Sequence, residues 1–122
     1  MILSDSSDWG SRVWTNSRFF GTAGTPPQLK AWTAAVTVIP GVVFSPGLDG
    51  WLRALSATTG RVVWEFNTAQ DFTTVNGVKA RGGSIGSAGA VVVDGMLYVT
   101  SGYIGFQNGV PGNVLLAFGL TD

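Results

Sequence analysis

The sequence predicts an all-β protein made of short antiparallel strands, and three observations support this fold class. Short apolar segments recur along the chain, and they are separated by turns rich in Gly, Asp and Thr. Some of these turns contain an Asp-Gly pair, which is a strong hairpin signal because Gly adopts the positive φ that tight turns require. The same order of segments and turns then appears a second time downstream, as expected for repeated units that stack beside one another.

The first unit is predicted to contain four strands. These are Thr33–Val38, Val42–Ser45, Trp51–Leu55 and Arg61–Phe66. Pro40-Gly41, Pro46–Gly50 and Thr58–Gly60 separate them, because Gly, Pro and Asp favour turns over strand interiors. The unit is therefore a run of antiparallel hairpins.

The second unit repeats this order and lacks its last strand. Its predicted strands are Ala90–Val93, Met96–Ser101 and Asn113–Leu120, with the Asp94-Gly95 turn between the first two. A four-stranded antiparallel unit repeated along a chain is typical of a β-propeller blade. We therefore expect an all-β, partial β-propeller with about two to two and a half four-stranded antiparallel blades.

The residues from Ala54 to Trp64, ALSATTGRVVW, resemble the tryptophan-docking repeat of the pyrroloquinoline-quinone (PQQ) dehydrogenase propellers. Ala54, Gly60 and Trp64 match that repeat, whereas Ser56 stands where it usually has Asp or Asn. The resemblance implies that Trp64 packs between neighbouring blades, that Gly60 permits the turn and that Ala54 leaves room for the ring.

A second stretch, Asn76–Tyr103 followed by Pro111–Phe118, is similar to the last blades of polyvinyl-alcohol-dehydrogenase-like quinoproteins. The resemblance implies a parent protein that uses PQQ and Ca²⁺ and works in the periplasm. Met1–Trp9 lacks the basic segment and apolar core of a secretory signal, so we expect no signal peptide in this chain. The resemblance thus implies a C-terminal fragment of a PQQ-dependent alcohol-dehydrogenase-like propeller that is inactive alone.

These patterns divide the chain into three parts. Residues 1–31 carry no secure pattern and are interpreted as the remnant of a preceding blade. Residues 32–68 form the blade with the tryptophan-docking motif, and residues 69–122 form a long loop plus an incomplete last blade. Repeat units cannot bury their faces alone, so the expected partners are the remaining propeller blades or copies of the chain itself.

The composition excludes several function classes. The chain has 7 basic and 7 acidic residues, so no charge excess suggests nucleic acid or an anionic membrane as partner. Its apolar runs are too short for a membrane-spanning helix. Cys and His are absent, which excludes disulfides, Cys- or His-ligated metals, a thiol nucleophile and a Ser-His-Asp triad.

Strand parity predicts where binding residues lie. Because antiparallel strands reverse at each turn, the connections 46–50, 67–88 and 102–112 fall at one end of the blades and the tight turns at the other. Long loops at one end of a rigid scaffold are where ligands usually bind.

One run in these loops combines two cations with flexible backbone. It contains Lys79, Arg81, Gly82, Gly83 and Ser84. Cations and closely approaching backbone N–H groups hold anions well, and PQQ carries three carboxylates. The resemblance places this loop near the cofactor face, so these residues are the predicted cofactor-binding set. The alternative is a solvated loop in which Lys79 and Arg81 pair with Asp71 or with nothing.

Further residues at this end are weaker candidates. The amides Asn76, Gln107, Asn108 and Asn113 are polar candidates, and Tyr103 and Phe106 are candidates for a pocket mouth. No catalytic residue or metal ligand is assigned, since Asp49 and Asp94 are interpreted as turn residues and Glu65 as solvent-facing. Asp71 is the only acid on a long loop of this end.

Two other functions stay open at the level of sequence. One is a non-catalytic propeller-like binding or assembly module that completes its ring by oligomerisation. The other is an unrelated β-sandwich that binds carbohydrate through its tryptophans. That interpretation is weaker because it does not account for the blade-length repeat.

Overall fold

The computed structural model describes residues 34–86, 88–104 and 109–120 of the chain. Within these ranges all regular structure is β-strand, so the all-β prediction is confirmed. No helix in the described ranges is long and apolar enough to cross a membrane. The N-terminal segment 1–31, Thr33, Phe106, Gln107 and Asn108 lie outside the described residues.

The described strands form three antiparallel sheets. The first sheet has the order β1-β2-β3-β4, the second is the hairpin β5-β6, and the third has the order β7-β8-β9. The strands are β1 (Thr37–Ile39), β2 (Val42–Pro46), β3 (Trp51–Ser56), β4 (Val62–Asn67), β5 (Asp71–Thr73), β6 (Lys79–Arg81), β7 (Ala90–Val93), β8 (Met96–Ser101) and β9 (Val114–Gly119).

The turns of the first and third sheets follow the predicted chemistry. Asp94 and Gly95 join β7 to β8 with φ values of 48° and 75°. Positive φ at both central residues is the type I′ geometry that matches the twist of a two-residue hairpin. Gly41 and Gly50 adopt φ values of 82° and 81° in the earlier turns. The Gly positions in the sequence therefore mark the reversals correctly.

Two details of the predicted strands need correction. The first strand begins at Thr37, which pairs with Phe44, and not at Thr33. Continuing that register would set Ala35 opposite Pro46, whose nitrogen carries no hydrogen for the ladder. The predicted loop 67–88 also contains a hairpin, β5-β6, in which Phe72 lies opposite Ala80.

The first and third sheets pack face to face around one apolar core. Its buried members come from both sheets and from the connection between them: Leu52, Ile85, Ala90, Leu97 and Val99. The leading strands β1 and β7 lie against each other, and the Thr37 hydroxyl donates a hydrogen bond to the Ala90 carbonyl oxygen. Successive antiparallel sheets packed with their leading strands adjacent form the partial β-propeller arrangement.

Candidate functional site

The three connections 46–50, 67–88 and 102–112 meet at one end of the packed sheets, as strand parity predicted. The Thr68 N–H donates to the Gly50 carbonyl oxygen over 2.8 Å, which joins the second connection to the first. The Gly102 N–H donates to the Ser84 carbonyl oxygen over 2.8 Å, which joins the third to the second. At the other end, the Ala57 N–H donates to the Gly41 carbonyl oxygen.

A buried hydroxyl network holds this junction together. Thr68, Ser84 and Ser101 are fully buried, and the hydroxyl oxygens of Thr68 and Ser101 lie 2.7 Å apart. The Thr68 hydroxyl lies 2.6 Å from the Gly50 carbonyl oxygen, and the Ser101 hydroxyl accepts from the Gly83 N–H over 2.8 Å. Because each buried hydroxyl has protein partners, the network needs no ligand to be satisfied.

The predicted run Gly82-Gly83-Ser84 lies inside this junction. The N–H groups of Gly82 and Ser84 donate to the carbonyl oxygens of Gln70 and Val110, over 2.9 and 2.8 Å. The Ser84 hydroxyl donates to the Leu48 carbonyl oxygen and accepts from the Val110 N–H. The backbone N–H groups of this run therefore hold the connections to one another, and binding of a ligand by these residues stays a prediction.

The two glycines are required by close backbone packing. A Cβ atom on Gly82 would collide with the Thr68 carbonyl oxygen, and one on Gly83 would collide with the Val110 carbonyl oxygen. Absence of a side chain lets three chain segments approach within hydrogen-bonding distance. This packing gives the Gly-Gly pair a structural role.

The two predicted cations lie on an open groove beside the junction. The groove has a volume of about 510 Å³ and is lined by Asp71, Phe72, Thr73, Lys79, Ala80, Arg81 and Asn113. The register of the hairpin sets Asp71 opposite Arg81 and Thr73 opposite Lys79. Since residues directly opposite each other share a face of the sheet, four polar side chains lie on one side of the hairpin.

One of the two cations is already paired. Arg81 Nη1 lies 2.9 Å from Asp71 Oδ1, with side chains 61% and 79% exposed. This is the pairing that the solvated-loop alternative anticipates, and an exposed pair of this kind is weak. Among the described residues, Lys79 makes no ion pair. Counting only partners in the described part of the chain, the groove therefore offers one unpaired ammonium and one guanidinium shared with a carboxylate.

Asn113 connects the groove to the third sheet. Its side-chain oxygen accepts from the Arg81 N–H over 3.0 Å, and its own N–H donates to the Arg81 carbonyl oxygen over 2.8 Å. The pair of bonds ties the end of β6 to the residue before β9. Asn113 thus fixes the position of Arg81, whatever the guanidinium binds.

Trp64 of the tryptophan motif lies at the interface between the first and third sheets. Ala54 pairs directly with Trp64, and Gly60 has a φ of 72° in the turn before β4. The Trp64 ring meets Phe118 of the third sheet edge to face, with centroids 5.3 Å apart. This packing between sheets is what the resemblance implied for Trp64, while the motif itself stays a prediction.

The remaining candidates have local contacts. Asn76 accepts a hydrogen bond from the Thr74 hydroxyl in the β5-β6 turn, and Tyr103 is exposed. Asp49 accepts from the Trp51 N–H and pairs with Arg53, as expected for a turn residue. Sequence reasoning missed Thr68, Ser101 and Phe72, of which Phe72 stacks on Phe66.

Acidic residues do not cluster in the described part of the chain. Within residues 34–86, 88–104 and 109–120, no three Asp, Glu, His or Cys side chains are grouped so that they could hold a metal ion. Oxygen ligands for Ca²⁺ must converge from several such groups or carbonyls.

Two known proteins align with most of the chain. The chain is 49% identical over 96 residues to a polyvinylalcohol dehydrogenase from Pseudomonas sp.. The chain is therefore similar to part of a polyvinylalcohol dehydrogenase. A polyvinylalcohol dehydrogenase from Sphingopyxis sp. (strain 113P3) is 39% identical over 97 residues.

The matching segment is a small part of these polyvinylalcohol dehydrogenases. Each alignment covers 72% of this chain and 15% of the relative. No protein-family model matches the chain, and no solved structure matches it significantly.

Proposed function

We propose that the chain forms two neighbouring blades of a PQQ-dependent alcohol-dehydrogenase-like propeller, as a C-terminal fragment. It contributes scaffold and the loops at the cofactor face, and the parent protein oxidises alcohol groups of a polymer such as polyvinyl alcohol in the periplasm. The 49% identity to a polyvinylalcohol dehydrogenase carries this proposal. The face-to-face packing of two antiparallel sheets supports it, since a ring of blades is built from such pairs.

The described residues include groups that fit a carboxylate of PQQ but no group of acids that fits Ca²⁺. PQQ, when bound, accepts the electrons removed from the alcohol, and its three carboxylates require cations. Lys79 and Arg81 fit one such carboxylate, because both cations lie on one face of the hairpin and Lys79 makes no ion pair among the described residues. No described group of acids fits Ca²⁺, so no step is assigned to that ion here.

An isolated chain is expected to bind weakly and to lack turnover. A redox cofactor reacts productively only when the protein surrounds it and excludes competing reactions. The groove at Lys79 and Arg81 is open, and Asp71, the only acid among the described residues that line it, is held by Arg81. These residues can attract and orient an anion, whereas a general base must be supplied by other blades.

Titration of the purified chain with PQQ tests the proposed role of the groove. Lys79→Ala and Arg81→Ala should each weaken binding several-fold, as seen by quenching of tryptophan fluorescence. Arg61→Ala is the matched control, because Arg61 is an exposed cation at the opposite end of the first sheet. Equal weakening of PQQ binding by all three substitutions would mean that the attraction is nonspecific. If no form of the chain binds PQQ, the proposal that this groove contacts the cofactor is wrong.

A second candidate function is a non-catalytic assembly module that completes its ring with copies of itself. One observation favours it. The third sheet leaves Val91, Val93 and Leu115 exposed to 56, 53 and 62% on a single face. Contiguous exposed apolar side chains on a soluble protein mark an interaction surface.

A further inference from the structure

The tip of the β5-β6 hairpin carries an exposed Asn-Gly pair. Asn76 and Gly77 lie in the turn between Thr73 and Lys79, which pair with each other across the hairpin. Gly77 has a φ of 79°, and a Cβ atom built on it would meet nothing within 4 Å. Nothing in the described part of the chain therefore crowds Gly77 on that side.

An asparagine that precedes a glycine can react with its own backbone. The nitrogen of the next residue attacks the side-chain carbon Cγ, and a new C–N bond closes a succinimide ring. The bond from Cγ to the side-chain nitrogen breaks, and that nitrogen leaves as ammonia with the proton of the backbone N–H. Water then opens the ring at either carbonyl, which gives aspartate or isoaspartate. Glycine favours the attack because it has no Cβ atom to obstruct the approach.

The Thr74 side chain is placed to assist this attack. Its hydroxyl donates a hydrogen bond to Asn76 Oδ1, the oxygen on which negative charge develops when Cγ is attacked. A donor aimed at a developing oxyanion lowers the barrier to acyl transfer. The same hydroxyl lies 2.8 Å from the Val78 carbonyl oxygen, which holds it over the turn.

One backbone hydrogen bond opposes the attack and has to open first. The Gly77 N–H donates to the Thr74 carbonyl oxygen over 2.9 Å. The two strands that flank the turn have three residues each, and Val75 and Val78 are exposed. Segments with few buried contacts open locally at a low cost in free energy. The bond therefore delays the reaction without preventing it.

The other asparagines in the described ranges are better protected. Asn67 precedes Thr68 and Asn113 precedes Val114, and both of these following residues are buried. The side-chain oxygens of Asn67 and Asn113 accept from backbone N–H groups over 2.9 and 3.0 Å. A buried residue that carries a Cβ atom cannot swing its nitrogen onto the side chain before it. Asn76 is thus the described asparagine with an accessible nucleophile beside it.

We propose that Asn76 is a site of spontaneous deamidation, with the Gly77 nitrogen as the nucleophile and Thr74 as the positioning residue for the Asn76 amide. Among the asparagines that the structure describes, Asn76 reacts first. The modification depends on the hairpin turn alone and does not rest on the dehydrogenase proposal.

The product changes the charge of the groove beside the hairpin. Lys79 lines that groove and makes no ion pair with any described residue. Residues three positions apart lie within about 11 Å of each other, a range over which opposite charges attract at low ionic strength. A carboxylate at position 76 therefore gives Lys79 a counter-charge and weakens the hold of the groove on an anion. This consequence, unlike the modification, rests on the proposed function of the groove.

Peptide mapping by mass spectrometry tests the modification. The folded chain is incubated at mildly alkaline pH and then digested briefly at slightly acidic pH, where the reaction is slow. Trypsin releases residues 62–79, a single peptide that carries both Asn67 and Asn76. Fragmentation should locate the conversion at Asn76, as a mixture of aspartate and isoaspartate, with Asn67 unchanged. An unchanged Asn76, or a faster conversion of Asn67, would overturn the proposal.

Three substitutions test the assignment of roles in the turn. Thr74→Val removes the hydroxyl and should slow the conversion of Asn76 several-fold, whereas Thr74→Ser keeps the hydroxyl and should convert at the parent rate. Gly77→Ala should also slow the conversion several-fold, because its methyl group obstructs the nucleophile. Equal rates in the two Thr74 variants would contradict the positioning role of Thr74, and an unchanged rate in Gly77→Ala would contradict attack by the Gly77 nitrogen.

Titration with PQQ at low ionic strength tests the consequence for the groove. Asn76→Asp reproduces one product and should weaken PQQ binding several-fold, whereas the uncharged Asn76→Gln should bind as the parent does. Equal binding by the parent and Asn76→Asp would overturn the effect of the modification on the groove. If the parent does not bind PQQ, the proposed function of the groove and this consequence both fail, while peptide mapping still decides the modification.

Discussion

Trp64 of the first sheet packs edge to face against Phe118 of the third sheet, with ring centroids 5.3 Å apart and an angle of 76° between the planes. The Phe66 and Phe118 ring centroids lie 5.1 Å apart, so the Phe118 ring of β9 contacts two aromatic rings of β4. Edge-to-face pairs at these separations are favourable beyond the apolar area that they bury. Phe118 also packs against the buried core, so these ring contacts extend the core towards β4.

The contact between Trp64 and Phe118 should be measurable as a coupling energy. In a double-mutant cycle with Trp64→Leu and Phe118→Leu, we expect the two losses in unfolding free energy to be non-additive by about 0.5–1.5 kcal/mol. Val63→Leu with Phe118→Leu is the control cycle, because Val63 is an exposed neighbour of Trp64. Additive losses in the first cycle would show that the sheets are not held by this contact.

Removing a single oxygen atom from the buried hydroxyl network should lower the unfolding free energy substantially. Ser101→Ala removes the oxygen that accepts from the buried Gly83 N–H, which should cost about 1–3 kcal/mol because that donor is left without a partner. Urea unfolding would measure the loss. Thr73→Ala, at an exposed position on β5, should change stability by no more than about 0.5 kcal/mol. Equal effects would contradict a structural role for the network.

The glycines of the junction should tolerate a methyl group very unequally. Gly82→Ala forces a Cβ atom onto the Thr68 carbonyl oxygen and should cost about 3 kcal/mol or more. Gly86→Ala lies four residues along the same connection, where a Cβ atom meets Ile104 at an ordinary 3.6 Å. Thermal unfolding should find that second variant as stable as the parent or slightly more stable, because alanine restricts the unfolded chain. A tolerated Gly82→Ala would mean that the connections are not packed as described.

The ion pair on the groove should contribute little to folding. Arg81→Ala should lower the unfolding free energy by no more than about 1 kcal/mol, since both partners are largely exposed. Asp71→Ala should have a similarly small effect on stability but should strengthen the binding of an anion by releasing Arg81. A large loss of stability in either variant would indicate that the hairpin depends on this pair and is not free to bind a ligand.

Much of the fold could be predicted from the sequence because its turns carry strong local signals. Asp94-Gly95 and Pro40-Gly41 fix hairpins whose strands alternate or run apolar, so β7 and β8 have the predicted bounds. Strand parity then placed the long connections at one end without knowledge of any contact. The hairpin β5-β6 was missed, although Asn76-Gly77 is the same kind of turn signal, because its strands are only three residues long and mostly polar.

The site was harder to predict, because its residues meet through long-range contacts. Thr68 and Ser101 are separated by 33 positions, and neither has a local pattern that marks it as buried. Gly82 and Gly83 were interpreted from their flexibility, whereas in the fold a lack of side-chain volume decides their role. Lys79 and Arg81 were grouped as loop cations, and in the fold they line one groove because alternate residues of strand β6 share a face.

Exchange of the matching segment in a full-length relative tests the proposed function most directly. The aligned segment of this chain would replace its counterpart in the Pseudomonas polyvinylalcohol dehydrogenase, and the dependence of polyvinyl alcohol oxidation on added PQQ would be measured. We expect the exchanged protein to fold and to oxidise the polymer, with Lys79→Ala in the exchanged segment raising the PQQ concentration required for half-maximal activity. A folded exchanged protein that binds PQQ normally but has no activity, or one whose PQQ requirement ignores Lys79, would contradict the proposed role of these blades at the cofactor face.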